Sequence, residues 1–393
     1  MSRSLKRTVL GAVIGALVLL GGAWFVQRGS AAGPTTRTYY VAADEVEWDY
    51  APTGVNRITG KPFGESENRF VQSGPDRIGK VYKKSLYREY TDESFRTLKP
   101  RPPEWEHLGF LGPLLRATVG DTIVVIFRNN TRFPASVHPH GVFYNKDSEG
   151  AGSVDGTGDT DKDDDSVPPG GTHKYVWPVP ERAGPAEGDP SSILWMYHSH
   201  VNEDKDVNSG LMGPMIVTRR DAALADGTPG DVDREFVVSF HEVDENESWY
   251  LEDNILAYAS DPASVDRRET AFFLPFGASN FMESMNGFIY GHLPGLTVRA
   301  GERVRWYLMA STNFEMHSPH WHGNTVVANH MRTDMAGLLP MGMLVADMVP
   351  DNPGTWLFHC HVNFHLNAGM QAQYTVLPED GTEVAERPTR RGS

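Results

Sequence analysis

Residues 356–370, WLFHCHVNFHLNAGM, hold the chain's only cysteine and three of its fifteen histidines. Read as a strand running into a loop, this stretch alternates faces at period two, so His359 and His361 point one way and Cys360 the other. One short strand thereby serves two metal sites. Cys360, with His365 and Met370 five and ten residues further on, needs one more histidine to complete a set of two imidazoles, a thiolate and a weak thioether. That donor set is the one expected of a blue-copper electron-transfer centre. His359 and His361 remain free for a second site, and the backbone of Cys360 joins the two sites through bonds. A small buried cysteine with incidental histidines is the simpler alternative, but the same spacing recurs elsewhere in the chain.

The recurrence is a repeat. LWMYHSHVN (194–202) matches TWLFHCHVN (355–363), and LLRATVGDTIVVIFRN (114–129), two alternating strands about a Gly-Asp turn, matches LTVRAGERVRWYLMA (296–310). Two copies of one fold follow. The length of 393 residues accommodates two domains of roughly 150 to 180 residues. Thirty-nine glycines and 27 prolines beside 39% hydrophobic residues suit a turn-rich, all-β chain. Residues 219–233, rich in Gly, Pro, Ala and Asp, have linker composition. The expected layout is an N-terminal segment (1–34), domain one (35–220), a linker (221–233), domain two (234–378) and a tail (379–393), each domain a Greek-key β-sandwich.

Four histidine clusters stand out: HPHG with His138 and His140, HSH with His198 and His200, HSPHWH with His317, His320 and His322, and HCHVNFH with His359, His361 and His365. They take ten of the fifteen histidines. Each His-x-His pair on a strand projects both rings to one side, so the four pairs offer eight imidazoles from two domains. Taken singly, any pair reads as a surface pair or a zinc site. Together they suit three copper ions that keep open positions for oxygen.

HCHVNFHLNAGM resembles the last copper motif of the multicopper oxidases. As a whole the chain is similar to a two-domain, laccase-like member on the ceruloplasmin side of that family, whose opening strand TRTYYVAADEVEWDY (36–50) resembles. The resemblance implies two cupredoxin-like domains and four coppers per chain: one type 1, one type 2 and two type 3. It gives His138 and His320 to the type 2 ion. His140, His198 and His361 go to one type 3 ion, and His200, His322 and His359 to the other. His317 completes the type 1 site with Cys360, His365 and Met370. Laid on the second half, domain one has Ala135, Ser199, Asp204 and Leu211 where those four ligands stand, so it contributes only trinuclear histidines. Ceruloplasmin closes six such domains into a ring. A two-domain chain rebuilds that ring as three copies, which implies a homotrimer with clusters at subunit interfaces.

The implied activity couples one-electron oxidation of a small reducing substrate at type 1 copper to four-electron reduction of O2 to water at the trinuclear cluster. Glu149, with Asp147 second, is the candidate proton relay on the loop leaving HPHG, and Tyr144 a candidate electron or hydrogen-bond donor; each is otherwise an ordinary loop residue. At the positions where ceruloplasmin-type ferroxidases bind iron this chain carries Ala278, Glu283 and Phe364, so a phenol or aromatic amine is the expected donor. A metal-ion oxidase is the alternative. Its ferroxidase form would use Fe2+; its cuprous form would use soft thioethers among Met331, Met335, Met341, Met343 and Met348, which otherwise read as strand and core residues. A copper nitrite reductase-like enzyme or a non-catalytic copper-binding protein are more distant alternatives.

In ceruloplasmin-like domains an acidic pair before a Pro-Gly turn binds calcium, and Asp164 and Asp165 precede VPPGG in that way; with Asp161 they form a candidate calcium site. The net charge of −15 argues against nucleic acid as a partner. Arg3, Lys6 and Arg7 followed by an uncharged apolar run from Val9 to Val26 read as an export signal or a membrane anchor, with small residues at Ser30, Ala31 and Ala32 for cleavage. The chain is therefore expected to be periplasmic or extracellular.

Overall fold

The computed structural model describes residues 33–311 and 315–380. The N-terminal signal or anchor expectation and most of the tail lie outside those residues. Among the described residues no helix is long and apolar enough to cross a membrane.

Strands dominate because β-branched and aromatic residues alternate with polar ones along them. In the first half, one sheet runs in the order Val81–Tyr90, Thr36–Asp49, Thr122–Asn129, Thr172–Pro178, and a second in the order Leu115–Thr118, Met212–Thr218, Ser192–His198, His138–Pro139. The second half repeats the plan. Its first sheet runs Phe281–Met285, Arg234–Asp244, Val304–Ala310, Met343–Met348, Val326–Ala328, Met331–Thr333. The other runs Thr297–Arg299, Gln371–Leu377, Gly354–Cys360, Pro319–Trp321. The parallel pairings also repeat. Thr36 to Ala43 runs beside Thr122 to Asn129 as Arg234 to Phe240 runs beside Val304 to Ala310. Each half is a cupredoxin-like β-sandwich with a core of its own, built around Trp177 and Tyr175 in the first and around Trp306, Trp321 and Phe358 in the second.

The repeat reaches single residues. Gly141 and Gly323 follow the histidine pairs of the two halves, and both have positive φ, +77° and +72°. A Cβ at either position would strike the indole of Trp195 or Trp356. Those tryptophans stand three residues before His198 and His359 respectively. Glycine thus lets each histidine hairpin close on the strand that carries the partner pair.

A third core cluster spans both halves, with Tyr50, Tyr82, Phe110, Met282, Ile289 and Tyr307 among its members. Buried polar pairs lock this seam. The Lys84 ammonium meets the Glu245 carboxylate at 2.5 Å, both side chains fully buried, and Tyr50 donates to the same carboxylate at 2.5 Å. Arg116 forks onto Glu235 at 2.9 and 3.2 Å. Burial pushes the Lys84 pKa down and that of Glu245 up, so each stays charged only because the other is there. Lys84→Ala is expected to cost about 3–5 kcal/mol by stranding Glu245, and the double change Lys84→Met with Glu245→Leu to recover most of it. Denaturant titration of the three proteins measures this, and a single-variant loss below about 1 kcal/mol would mean that other contacts hold the seam.

Candidate metal centre

The strand Gly354–Cys360 ends on the cysteine, and the short helix Asn363–Ala368 brings His365 back over it. Cys360 N–H donates to the Met370 carbonyl at 3.1 Å, and Met370 N–H to that of His365 at 2.9 Å, which closes the loop and buries Met370 in the same core as Cys360. His317 enters from the facing segment, pinned by a bridge to Leu338. The Cys360 Sγ lies 3.5 Å from His365 Nδ1 and 3.9 Å from His317 Nδ1. Burial pushes the pKa of His317 down to about 3 and that of His365 to about 4, so both rings are neutral and present a lone pair. Burial also raises the pKa of the Cys360 thiol, while the Ser318 N–H donates to Sγ at 3.3 Å. A cation would deprotonate that thiol, and the orientation of two nitrogens and one sulfur toward each other fits copper.

The other eight histidines form two quartets. In the first half His138 lies across from His198 in register, and the Nε2 atoms of His140 and His198 stand 3.1 Å apart. His138 and His200 complete the group, with ring centroids 5.2 Å apart. In the second half His320 lies across from His359, whose Nε2 stands 3.1 Å from His322 Nε2 and 3.3 Å from His320 Nδ1. His361 joins at 5.2 Å from the His320 ring. Backbone carbonyls fix the tautomers: the Nδ1–H of His138 donates to Glu149 O, that of His198 to Ser199 O and that of His359 to Cys360 O, at 2.6, 3.0 and 2.7 Å. A carbonyl only accepts, so the Nε2 atoms of these three rings carry lone pairs. Burial, reinforced by the neighbouring imidazoles, holds the pKa of His140 and His359 near 4 and that of His198 near 3. Among the described residues no ring contact or hydrogen bond joins one quartet to the other.

The loop after HPHG carries Tyr144, Asp147 and Glu149. Glu149 supports His138 through its carbonyl, and its carboxylate is paired with Lys146. The Tyr144 ring stands 5.9 Å from that of His138. Asp147 is exposed, and its carbonyl accepts from His173 at 2.8 Å, so its backbone braces the loop without reaching the quartet.

Among the described residues, no group of three or more His, Cys, Asp or Glu side chains close enough to hold a metal ion includes Asp161, Asp164 or Asp165. Asp164 turns inward, where its carboxylate accepts the Gly150 N–H at 2.6 Å; Asp165 faces Lys162 at 3.5 Å; Asp161 is exposed. Asp164 instead props the turn that positions the carbonyl of Glu149. Of the methionines, Met348 is core, whereas Met331 and Met335 are exposed.

Glu242, unlike Glu283, was missed from sequence. Glu242 lies directly across from Glu283 in adjacent strands, and ligand atoms of Glu242, Glu283 and His365 lie within 4.8 Å of one another. Burial raises the pKa of both acids, that of Glu242 to about 7, and Glu315 adds to both; Glu242 pushes Glu283 further up, whereas the hydrogen bond between them lowers Glu242. A glutamate following the mostly apolar run from Phe236 to Phe240 was the available signal.

Two family models, each described as multicopper oxidase, match residues 108–222 and 266–380. The chain belongs to the multicopper oxidase family. It is 46% identical over 348 residues to the human protein named ferroxidase HEPHL1, covering 88% of this chain and 29% of that one. Human hephaestin is 45% identical over 346 residues, covering 87% and 29% of the two chains. Human ceruloplasmin is 41% identical over 360 residues, covering 91% and 33%. The chain therefore spans about a third of the length of these relatives. Among solved structures, the multicopper oxidase mgLAC superposes with a TM-score of 0.55 at 19% identity, covering 90% of this chain and 89% of that one, which shows the shared fold.

Because Cys360 is the chain's only cysteine, Cys360→Ser is expected to abolish the intense blue absorption of copper-loaded protein and to lower its copper content by about one ion per chain. Visible spectra with metal analysis test this; a variant that stays blue would refute the assignment.

Proposed function

We propose that this chain is a copper-dependent oxidase that takes single electrons from a substrate beside His365 and passes four of them to dioxygen. The balance is four donors, O2 and four protons giving four oxidised donors and two waters. The observation that carries the reading is His359–Cys360–His361, in which Cys360 Sγ faces His317 and His365 while His359 Nε2 meets His320 and His322. When bound, copper supplies the one-electron acceptor and the oxygen-reducing cluster. His317, Cys360, His365 and Met370 would hold the type 1 ion, and the eight quartet histidines the other three. Carbonyl bonds to Nδ1 keep the rings turned toward their ions, and Glu149 or Tyr144 would relay protons near His138.

The substrate we favour is a metal ion, Fe2+ first. Ala278 and Phe364 had pointed to an organic donor, but Glu242 and Glu283 bring two carboxylates to His365, and a relative 46% identical is named a ferroxidase. A second reading keeps the organic donor, because Phe364 is 40% exposed and packs edge-to-face on Phe272 at 5.0 Å beside the same histidine. Oxygen uptake is expected to give Fe2+ a kcat/KM at least roughly tenfold above that of simple phenols. The reverse order would favour the aromatic reading.

We further propose domains at 35–220 and 234–378, export through the N-terminal segment, and a cyclic homotrimer. The quartets occupy equivalent places on the two repeats, and each has four of the eight imidazoles. Apolar residues are exposed at both rims: Phe143 and Tyr144 beside the first, Met335 and Leu339 beside the second. Head-to-tail contact would cover both. Inactive His140→Ala and His361→Ala proteins, dissociated and reassembled together, are expected to regain part of the oxidase activity. A fully active monomer by sedimentation would exclude the shared cluster.

A further inference from the structure

We propose that Asp206 is a positioning residue for the first-half histidine quartet: its buried carboxylate holds the turn that carries His198 and His200, and Trp249 from the second half completes its set of donors. The proposal rests on the copper reading of the quartets given above. It adds a residue that touches no metal ion and makes the quartet depend on contact between the two halves.

The two repeats build this turn alike up to one point. In the second half the Ser318 N–H donates to Cys360 Sγ at 3.3 Å, and the Cys360 N–H to the Met370 carbonyl at 3.1 Å. In the first half the Ser136 N–H donates to Ser199 Oγ at 3.0 Å, and the Ser199 N–H to the Leu211 carbonyl at 3.0 Å. What the next atom faces then differs. Cys360 Sγ faces the Nδ1 atoms of His365 and His317. Ala135 and Asp204 stand at the positions of those two ligands in the first half, and the Ser199 hydroxyl donates instead to Asp206 Oδ2 at 2.6 Å. Asp206 comes from the helix Glu203–Ser209, which follows HSHVN as Asn363–Ala368 follows HCHV.

Three further donors converge on the same carboxylate. Oδ2 accepts the backbone N–H groups of Val201 and Asn202 at 3.1 and 3.0 Å, and Oδ1 accepts the Trp249 Nε1–H at 2.8 Å. Asp206 is fully buried, and a carboxylate out of water is tolerated only while its donors stay in place. The four donors are therefore held in one arrangement. Both ligands are tied into it. Ser199 lies between His198 and His200, and its carbonyl accepts the Nδ1–H of His198 at 3.0 Å. Ser136, bound to Ser199 through its N–H, takes the His200 N–H on its own hydroxyl at 3.0 Å.

Trp249 reaches across from the second half and stacks on Phe133 of the first, with centroids 4.7 Å apart and planes at 17°. The indole thus brings one of the four donors only while the halves are docked. The consequence is that His198 and His200 are aimed before any copper arrives, by a carboxylate in the place where the second half has imidazole and thioether ligands. Loss of a group that orients a metal ligand typically costs about ten- to a hundredfold in metal affinity.

The test dialyses copper-loaded full-length protein against graded EDTA. The blue band reports type 1 copper, and the type 2 signal in electron paramagnetic resonance reports the histidine cluster. Asp206→Asn keeps the shape of the side chain and removes its charge; Trp249→Phe keeps a ring against Phe133 and removes only the N–H. Both variants are expected to lose the type 2 signal at an EDTA concentration at least about tenfold below that of the wild type, while the blue band is lost at the wild-type concentration. That unequal response separates positioning from general destabilisation, which lowers both curves together. Trp249→Phe carries the test if Asp206→Asn does not fold. Curves that stay unshifted, or that shift together, overturn the proposal and leave the copper reading standing. A wild type with a blue band and no type 2 signal removes the copper reading of the quartets, and this proposal with it.

Discussion

Side chains on an extended strand alternate sides, and the chemistry of this chain depends on where that alternation falls around Cys360. The thiol must be buried among apolar groups to make a short-contact site with His317 and His365, while the adjacent imidazole of His359 must reach the opposite surface, where His320 and His322 wait. A slip of one residue in the pairing of Pro319–Trp321 with Gly354–Cys360 would exchange the two faces and dismantle both sites at once. The stacked Trp321 and Phe358, 5.1 Å between centroids, hold that register from inside the core.

The same strand logic explains the polar interior. Tyr50 and Glu245, each just past the end of a strand, meet Lys84 on a third at the seam, and Arg116 and Glu235 pair across strands of the two halves. A wholly apolar seam would stick at many angles, whereas a buried fork between Arg116 and Glu235 is satisfied in only one. The relative placement of the repeats matters here because each carries half of the proposed oxygen-reducing site.

Much of this was legible in the sequence, for a physical reason. Ligands that lie on one strand or its following turn, such as Cys360, His365 and Met370, have their geometry set by local periodicity, and the duplicate HSH and HCH motifs announced the repeat. Features that depend on register between distant strands were not legible. Glu242 is an unremarkable glutamate until strand pairing sets it face to face with Glu283. The direction of a loop carboxylate was equally hidden: Asp164 turns inward, and one of its oxygens accepts the Gly150 N–H. Glu149 was singled out for its acid group, and the structure uses its carbonyl on His138.

Repetition also bears on assembly. Each repeat carries one histidine quartet, and among the described residues no ring contact or hydrogen bond joins the two. Contact between unlike faces is heterologous, and it either closes into a ring or grows without limit. Four imidazoles satisfy three copper ions poorly, because each ion takes two or three nitrogens while keeping a position for oxygen. On the proposed sharing of the cluster between chains, completing the eight favours closure over growth: an open chain of subunits always leaves one unpaired quartet at each end, and a ring leaves none.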